Sequence, residues 1–256
     1  MAGDPADTPV VLTVGEGFFV RQAIDNMGWC DMGDYILIVD ALEESHLENE
    51  VMAAIADSAG DKPVRYVLNT HTHYDHVSLN GAFVERFDAE IINQRTATIE
   101  PAGRMFESPG RKICMIPMPG CHTREDCVIW APDDGVLFAG DIFGWGLIPS
   151  DGLLTGDLRR RLRDTYARLV EFGASVVVPG HGPVCGTGEL VRWVEYFDWL
   201  LETVAELAGA GKSDSEITAA VTPPEDMRGW WRFEAWKHAD AVSKVLTSAR
   251  RGVLGA

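Results

Sequence analysis

Short apolar or alternating runs recur along the first two thirds of the chain, at Val10–Val14, Phe18–Ala23, Tyr35–Val39, Val64–Asn69, Glu90–Ile92, Ile113–Ile116, Val128–Trp130, Val136–Ala139 and Ser175–Val178. Turn-forming residues such as Gly15, Gly33, Asp134-Gly135 and Pro179-Gly180 bound them, so the pattern predicts β-strands. Two intervening segments change to a helical period. Glu44–Ser58 sets Leu47, Val51, Ala54 and Ile55 on one face, and Asp157–Phe172 does the same with Leu158, Leu162, Tyr166, Leu169 and Val170. After His181 the strand pattern stops: Gly188–Ala208, Ser213–Val221 and Trp230–Arg250 all read as helix, and Ser213-x-x-Glu216 has capping-box spacing. The expectation is a single α/β domain over residues 1–256, with a core over 1–186 and a helical C-terminal part over 187–256 packed on it.

A chain of 256 residues with 46% apolar residues can bury a substantial core. A net charge of −17 argues against a nucleic-acid track, which needs a Lys/Arg surface. The start, MAGDPADTPV, has no basic region followed by an apolar run, and nothing approaches the roughly 20 apolar residues that span a bilayer. No membrane association and a cytoplasmic location are therefore expected. Cys30, Cys114, Cys121, Cys127 and Cys185 are scattered, odd in number and never CxxC, so they read as reduced thiols. Trp193, Trp199, Trp230, Trp231 and Trp236 concentrate late in the chain, where packing between helices and core is the first reading; a pocket wall or a homo-oligomer interface is the other.

The chemistry lies in the histidines. Three of the seven fall in Thr70-His71-Thr72-His73-Tyr74-Asp75-His76, directly after the strand-like run Tyr66-Val67-Leu68-Asn69. A strand ending in a tight loop can turn several side chains toward one point, and imidazoles with a carboxylate are ligands that zinc, iron or manganese accept. Three further sites follow predicted strands or lie beside them: Gly120-Cys121-His122-Thr123, Ala139-Gly140-Asp141 and Pro179-Gly180-His181-Gly182. Alone, each reads as a turn residue or a helix cap; in this order, together with the cluster, they form a specific pattern. His46 and His238 lie outside it and read as surface or packing residues.

With these residues in place, the chain resembles the metallo-β-lactamase superfamily, its motifs matched from Asp40 at a strand end through the histidine cluster to His122, Asp141 and His181. The resemblance implies an αββα sandwich with two divalent metal ions at one edge, zinc first and iron or manganese as alternatives. His71, His73 and His122 would hold one ion, and Asp75, His76 and His181 the other. Asp141 would bridge them, and Asp40 would support the ligand loop from behind. Two cations about 3.5–4 Å apart can turn a shared water into bridging hydroxide at neutral pH. Asp75 would then accept or return a proton.

The implied activity is hydrolysis of an ester, thioester, lactone or related bond in a small molecule. Three alternatives stay open: an iron-dependent oxygenase like the persulfide dioxygenases, a β-lactamase, and a non-catalytic metal-binding module. Asp141 stands where β-lactamases of this superfamily generally place Cys or Ser. The run from Ile142 to Ile148 lacks the Gly-Cys-Gly-Arg-like stretch of a typical glyoxalase II, which argues against a glutathione thioester. For the substrate pocket, the expected walls are the loop Ile142–Leu154, exposing Phe143, Trp145 and Leu147, and the turn Asn26-Met27-Gly28-Trp29 opposite it.

Overall fold

The computed structural model describes residues 7–254; residues 1–6 and 255–256 of the expected domain lie outside the described residues. Strands β1 (Val10–Gly15), β2 (Phe18–Gln22), β3 (Met27–Asp31), β4 (Ile36–Val39), β5 (Val64–Leu68) and β6 (Glu90–Ile92) form one sheet in that order. The second sheet is built from β7 (Arg104–Ser108), β8 (Arg111–Pro117), β9 (Cys127–Ala131), β10 (Val136–Gly140) and β11 (Val176–Pro179), in the spatial order β11-β10-β9-β8-β7. Pairing is antiparallel except at β4/β5, β5/β6 and β10/β11. Helices α1 (Glu48–Ala59) and α2 (Asn80–Phe87) cover the first sheet. Helices α3 (Gly156–Glu171), α4 (Thr187–Gly209) and α6 (His238–Arg250) cover the second, with α5 (Asp214–Ala220) between the last two.

The side-chain period of two explains the layers. In β4, Leu37 and Val39 point into the space between the sheets and meet Ile129 and Phe138, whereas Ile36 and Ile38 point outward onto Val51 and Ile55 of α1. In β10, Val136 and Phe138 point inward, and Leu137 and Ala139 outward under the helices. Both faces of these strands are covered, which is why they read as unbroken apolar runs. The result is the αββα sandwich that the resemblance implies.

The helical C-terminal part packs directly on the second sheet. Trp193 and Phe197 of α4 and Val245 of α6 share one apolar cluster with Leu137 and Val177. Tyr166 of α3 stacks on Trp193 at 4.0 Å between ring centroids, and Trp193 on Phe197 at 5.0 Å. At the start of α5, Ser213 Oγ accepts from Glu216 N while Ser213 N donates to Glu216 Oε2, the expected capping box. The helix expected over Trp230–Arg250 is shorter: a π-helical turn, Phe233–Lys237, precedes α6. Among the described residues no helix is long and apolar enough to cross a membrane.

Three elements depart from the sequence reading. Asn26-Met27-Gly28-Trp29 was expected as a turn, but Met27–Asp31 is the central strand β3. Its glycine serves a close approach: a Cβ on Gly28 would stand 2.2 Å from Cζ of Phe138 in the opposite sheet. Trp29 is wholly buried beneath α1, with Nε1 donating to Ser58 Oγ at 2.9 Å, so it walls no pocket. Strand β7 and helix α2 had no counterpart in the reading; β7 buries only Phe106 and α2 only Phe83.

Candidate metal centre

The expected ligands lie in loops at strand ends along one edge of the sandwich. Asp40 follows β4, the histidine cluster follows β5, His122 lies between β8 and β9, Asp141 follows β10 and His181 follows β11. Parallel neighbours β4/β5 and β10/β11 send their chain-forward ends to the same side, which brings loops distant in sequence together.

The seven side chains fall into two groups that share one member. His71, His73, His122 and Asp141 offer donor atoms all within 4.8 Å of one another, and so do Asp75, His76, Asp141 and His181. Asp141 Oδ2 lies 3.4 Å from His122 Nε2 and 3.3 Å from His181 Nε2, and Oδ1 lies 3.3 Å from His76 Nε2. His73 Nδ1 and His122 Nε2 approach to 3.0 Å. The backbone accommodates this crowding at Gly180, where a Cβ would sit 2.0 Å from Asp141 Oδ1.

Oxygen partners aim the rings. His122 Nδ1 meets the carbonyl of Pro149 at 2.7 Å, and His181 Nδ1 meets that of Ile24 at 2.9 Å. A carbonyl only accepts, so Nδ1 carries a proton in both rings and Nε2 is the nitrogen turned toward the cluster. His76 Nδ1 donates to Asp40 Oδ2 at 2.9 Å, turning its Nε2 in the same way. Asp40 also accepts from Thr70 N at 2.7 Å and Thr70 Oγ1 at 2.8 Å, tying β4 to the root of the histidine loop. Below His122, the buried carboxylate of Asp126 collects the backbone N–H groups of Cys121, His122 and Thr123. Thr70, Asp126 and the carbonyls of Ile24 and Pro149 were not anticipated; only Asp126, four residues after His122 in a turn, carried a readable signal.

Burial and charge make the site suited to cations. Among the described residues, His71 Nε2, His76 Nε2, Asp75 Oδ1 and Asp141 Oδ1 are buried polar atoms with no hydrogen-bond partner, a costly arrangement unless something electrophilic engages them. Burial pushes the His71 imidazole down to about 2, so it is the neutral ligand form. At His76 burial opposes the charged ring, yet the carboxylates of Asp40 and Asp141 outweigh it and hold the group well above its usual range. The same contest, with Asp141 as the main carboxylate and Asp75 assisting, lifts His181 to about 10. Asp141 and Asp75 are held below the usual carboxylate range against burial by the facing histidines. The carboxylates thus demand positive charge at the point where five imidazoles converge, which divalent cations would satisfy. His73 and Tyr74 are exposed, so the centre opens on that side. His46 pairs with Glu44 at the surface, and His238 is buried between Tyr196 and Phe233; neither joins the cluster.

The expected pocket wall divides. Phe143 is wholly buried against Trp145 and Trp230 and walls nothing, because α4, α6 and Trp230 cover the loop that its glycines were expected to open. Trp145 lines a surface pocket of about 510 Å³ together with Pro183, Arg228, Trp230, Trp231 and Phe233. Its Nε1 donates to Pro183 O at 3.1 Å, in the loop that carries His181.

The sequence profile described as Metallo-beta-lactamase superfamily matches residues 31–113 and 103–181. Among curated relatives, a hydroxyacylglutathione hydrolase of Thermosynechococcus vestitus (strain NIES-2133 / IAM M-273 / BP-1) is 32% identical over 117 residues, 37% of this chain and 45% of that protein. A hydroxyacylglutathione hydrolase of Rhizobium meliloti (strain 1021) is 34% identical over 84 residues, 30% of this chain and 32% of that protein. Each match spans less than half of the relative's length. Among solved structures, a metallo-beta-lactamase from Pontibacter korlensis superposes with a TM-score of 0.60 at 17% identity, over 73% of this chain and 98% of that one. The stereoselective inverting sec-alkylsulfatase Pisa1 from Pseudomonas sp. gives 0.72 at 14% identity, over 94% of this chain and 50% of that one. These two structures are alike in fold.

Proposed function

The chain belongs to the metallo-β-lactamase superfamily, and on that premise we propose that it is a dinuclear metal-dependent hydrolase of a small molecule carrying an ester, thioester, lactone or related bond. One observation carries the reading: two four-residue ligand groups share Asp141. His71, His73 and His122 would hold the first ion, Asp75, His76 and His181 the second, and Asp141 both. Zinc suits this set of imidazoles and carboxylates, as do iron and manganese. When bound, such a pair supplies a nucleophile at neutral pH and draws electron density from a substrate oxygen.

The protein's own groups do the rest. Asp40, Ile24 O and Pro149 O engage Nδ1 of His76, His181 and His122, so the three Nε2 atoms are aimed at the cluster before any ion arrives, and a bound cation would take the place of the Nε2 protons. Asp75, held below the usual carboxylate range and placed 3.2 Å from His181 Nε2, is ionised at neutral pH and would be the carboxylate at hand to accept or return a proton during bond cleavage. The exposed ring of Tyr74, its hydroxyl donating to Glu43 Oε1 at 3.2 Å, flanks the open side. The surface pocket that Trp145, shortly after Asp141, and Pro183, shortly after His181, line together with Trp230 and Trp231 suits the apolar or acyl part of a substrate. The hydroxyacylglutathione hydrolase relatives favour a thioester among the candidate bonds, whereas the run from Ile142 to Ile148 disfavours glutathione as the leaving group.

The test is metal analysis of purified protein beside hydrolysis assays on a thioester, a lactone, a β-lactam and a phosphodiester, with oxygen uptake recorded. Two metal equivalents with turnover of an ester-like bond are expected. Iron with oxygen uptake and no hydrolysis would replace this reading with the oxygenase, and binding without turnover would leave a metal-binding module.

A further inference from the structure

We infer that the helical C-terminal part aims the ligand His122, acting through the backbone carbonyls of residues 144–149; this rests on the metal-centre reading above. His122 is oriented by the Pro149 carbonyl, so its aim is only as fixed as that carbonyl. The segment from Ile142 to Leu154 has no regular secondary structure to pair its peptide groups. Side chains from beyond residue 190 take that place. Lys237 Nζ donates to Gly144 O at 2.8 Å, Trp193 Nε1 to Leu147 O at 3.0 Å and Lys244 Nζ to Ile148 O at 3.1 Å. The next carbonyl along is that of Pro149. At the segment's far end Leu154 N donates to Ser248 Oγ at 2.9 Å, and at its near end Ile142 O accepts from Tyr166 at 2.6 Å.

Two of the three donors, Trp193 and Lys237, are themselves buried, which stiffens the clamp, and Lys244 is held from its other side by Asp240 at 3.1 Å. Trp193 is wholly buried in its stack between Tyr166 and Phe197. Lys237 is 2% exposed, its ammonium 4.0 Å from the Trp231 ring centre, and burial pushes it down to about 7. A buried ammonium is costly to place, and among the described residues its one hydrogen-bond acceptor is a carbonyl of this segment. The histidines of the second group are aimed from other parts of the fold, His76 by Asp40 and His181 by Ile24 O. Loosening the clamp should therefore weaken one metal site and spare the other. Lys237, Lys244 and Trp193 act as positioning residues, since none of them is among the candidate ligands.

The test is cobalt(II) titration of metal-free protein, followed by calorimetry and by visible d–d absorption. Lys244→Met and Trp193→Phe each delete one donor, the second keeping an aromatic ring in the stack, and Lys244→Arg restores a donor. Wild type should bind two equivalents. In Lys244→Met and Trp193→Phe one equivalent should weaken by about tenfold, the scale of an outer hydrogen bond to a ligand, while the other stays within about twofold. Lys244→Arg should recover the wild-type curve; the metal-free melting temperature of Lys244→Met should stay close to wild type, whereas Trp193→Phe, which also trims a buried ring, lowers it by a few degrees. Two wild-type-like equivalents in both variants would overturn the clamp while leaving the metal centre intact. Parallel weakening of both equivalents with a fall in melting temperature would also overturn it, as a general packing effect. Wild type that fails to bind two equivalents would overturn the dinuclear reading, and this inference with it.

Discussion

Replacing Asp40 with asparagine should cost one metal site and a measurable part of the fold's stability. The left-handed backbone at Asp40, φ 59°, is one that asparagine tolerates, so the substitution adds little strain. One amide oxygen can still accept from Thr70 N. The other position becomes an NH₂ facing His76 Nδ1–H and the Thr70 hydroxyl. The hydroxyl can rotate, but His76 must move its proton to Nε2, the nitrogen that faces Asp141 at 3.3 Å. An Nε2–H cannot ligate. The lost bond is charge-assisted and buried, worth about 1.5–3 kcal/mol, or roughly 3–12 °C in melting temperature for a chain of this size. Metal affinity at the group holding His76 should fall about 10–100-fold. Thermal unfolding of metal-free protein and a zinc competition titration measure the two effects separately. Asp40→Asn with wild-type melting temperature and two wild-type zinc affinities would refute the reasoning.

Four neighbouring expectations can be checked with the same material. Trp145→Ala removes a ring 7% exposed that packs on Phe143 and Trp230 at 5.5 Å each, so urea unfolding should show a loss of about 3–5 kcal/mol; unchanged stability would mean that the loop repacks freely. Lys237, lowered to about 7 by burial, binds its proton less well folded than unfolded. The contribution of this group to stability must then rise with pH between about 7 and 10, at up to about 1.4 kcal/mol per unit. The stability difference between wild type and Lys237→Met should climb over that window, and a flat difference would contradict the burial argument. A strong chelator should lower the melting temperature by roughly 5–11 °C for each ion site relative to protein in a hundredfold excess of metal over Kd, reversibly; no shift would mean that the folded state binds no metal. Asp141→Ala, finally, should damage both ion sites together.

The parts of the site that were legible in the sequence are those whose signal is a side chain at a local spacing. The histidine cluster and its aspartate lie within six consecutive positions after one strand, His71 to His76, and ligand type at that density has few other uses. Asp141 and His181 were readable only in order with the rest, because a single Asp after Ala-Gly or His after Pro-Gly is ordinary turn chemistry. Strands covered on both faces, such as Ile36–Val39, announced themselves as apolar runs. Strand β3 did not, since Gly28 looks like a turn residue and is in fact the gap that admits Phe138. The edge strand β7 buries one residue and shows almost no alternation. Phe143 was misplaced because glycine spacing tells where a loop can bend, not which helices cover it. The carbonyls of Ile24 and Pro149, which aim two of the candidate ligands, are backbone groups that every sequence has.

The central claim is that two ion sites share Asp141, and the metal-to-protein ratio of metal-replete protein tests it most directly, measured by inductively coupled plasma mass spectrometry on wild type and Asp141→Ala. The account predicts two ions per chain in wild type, with the variant retaining at most one, weakly held, and no turnover. A single ion per fully loaded wild-type chain, unchanged in Asp141→Ala, would contradict it.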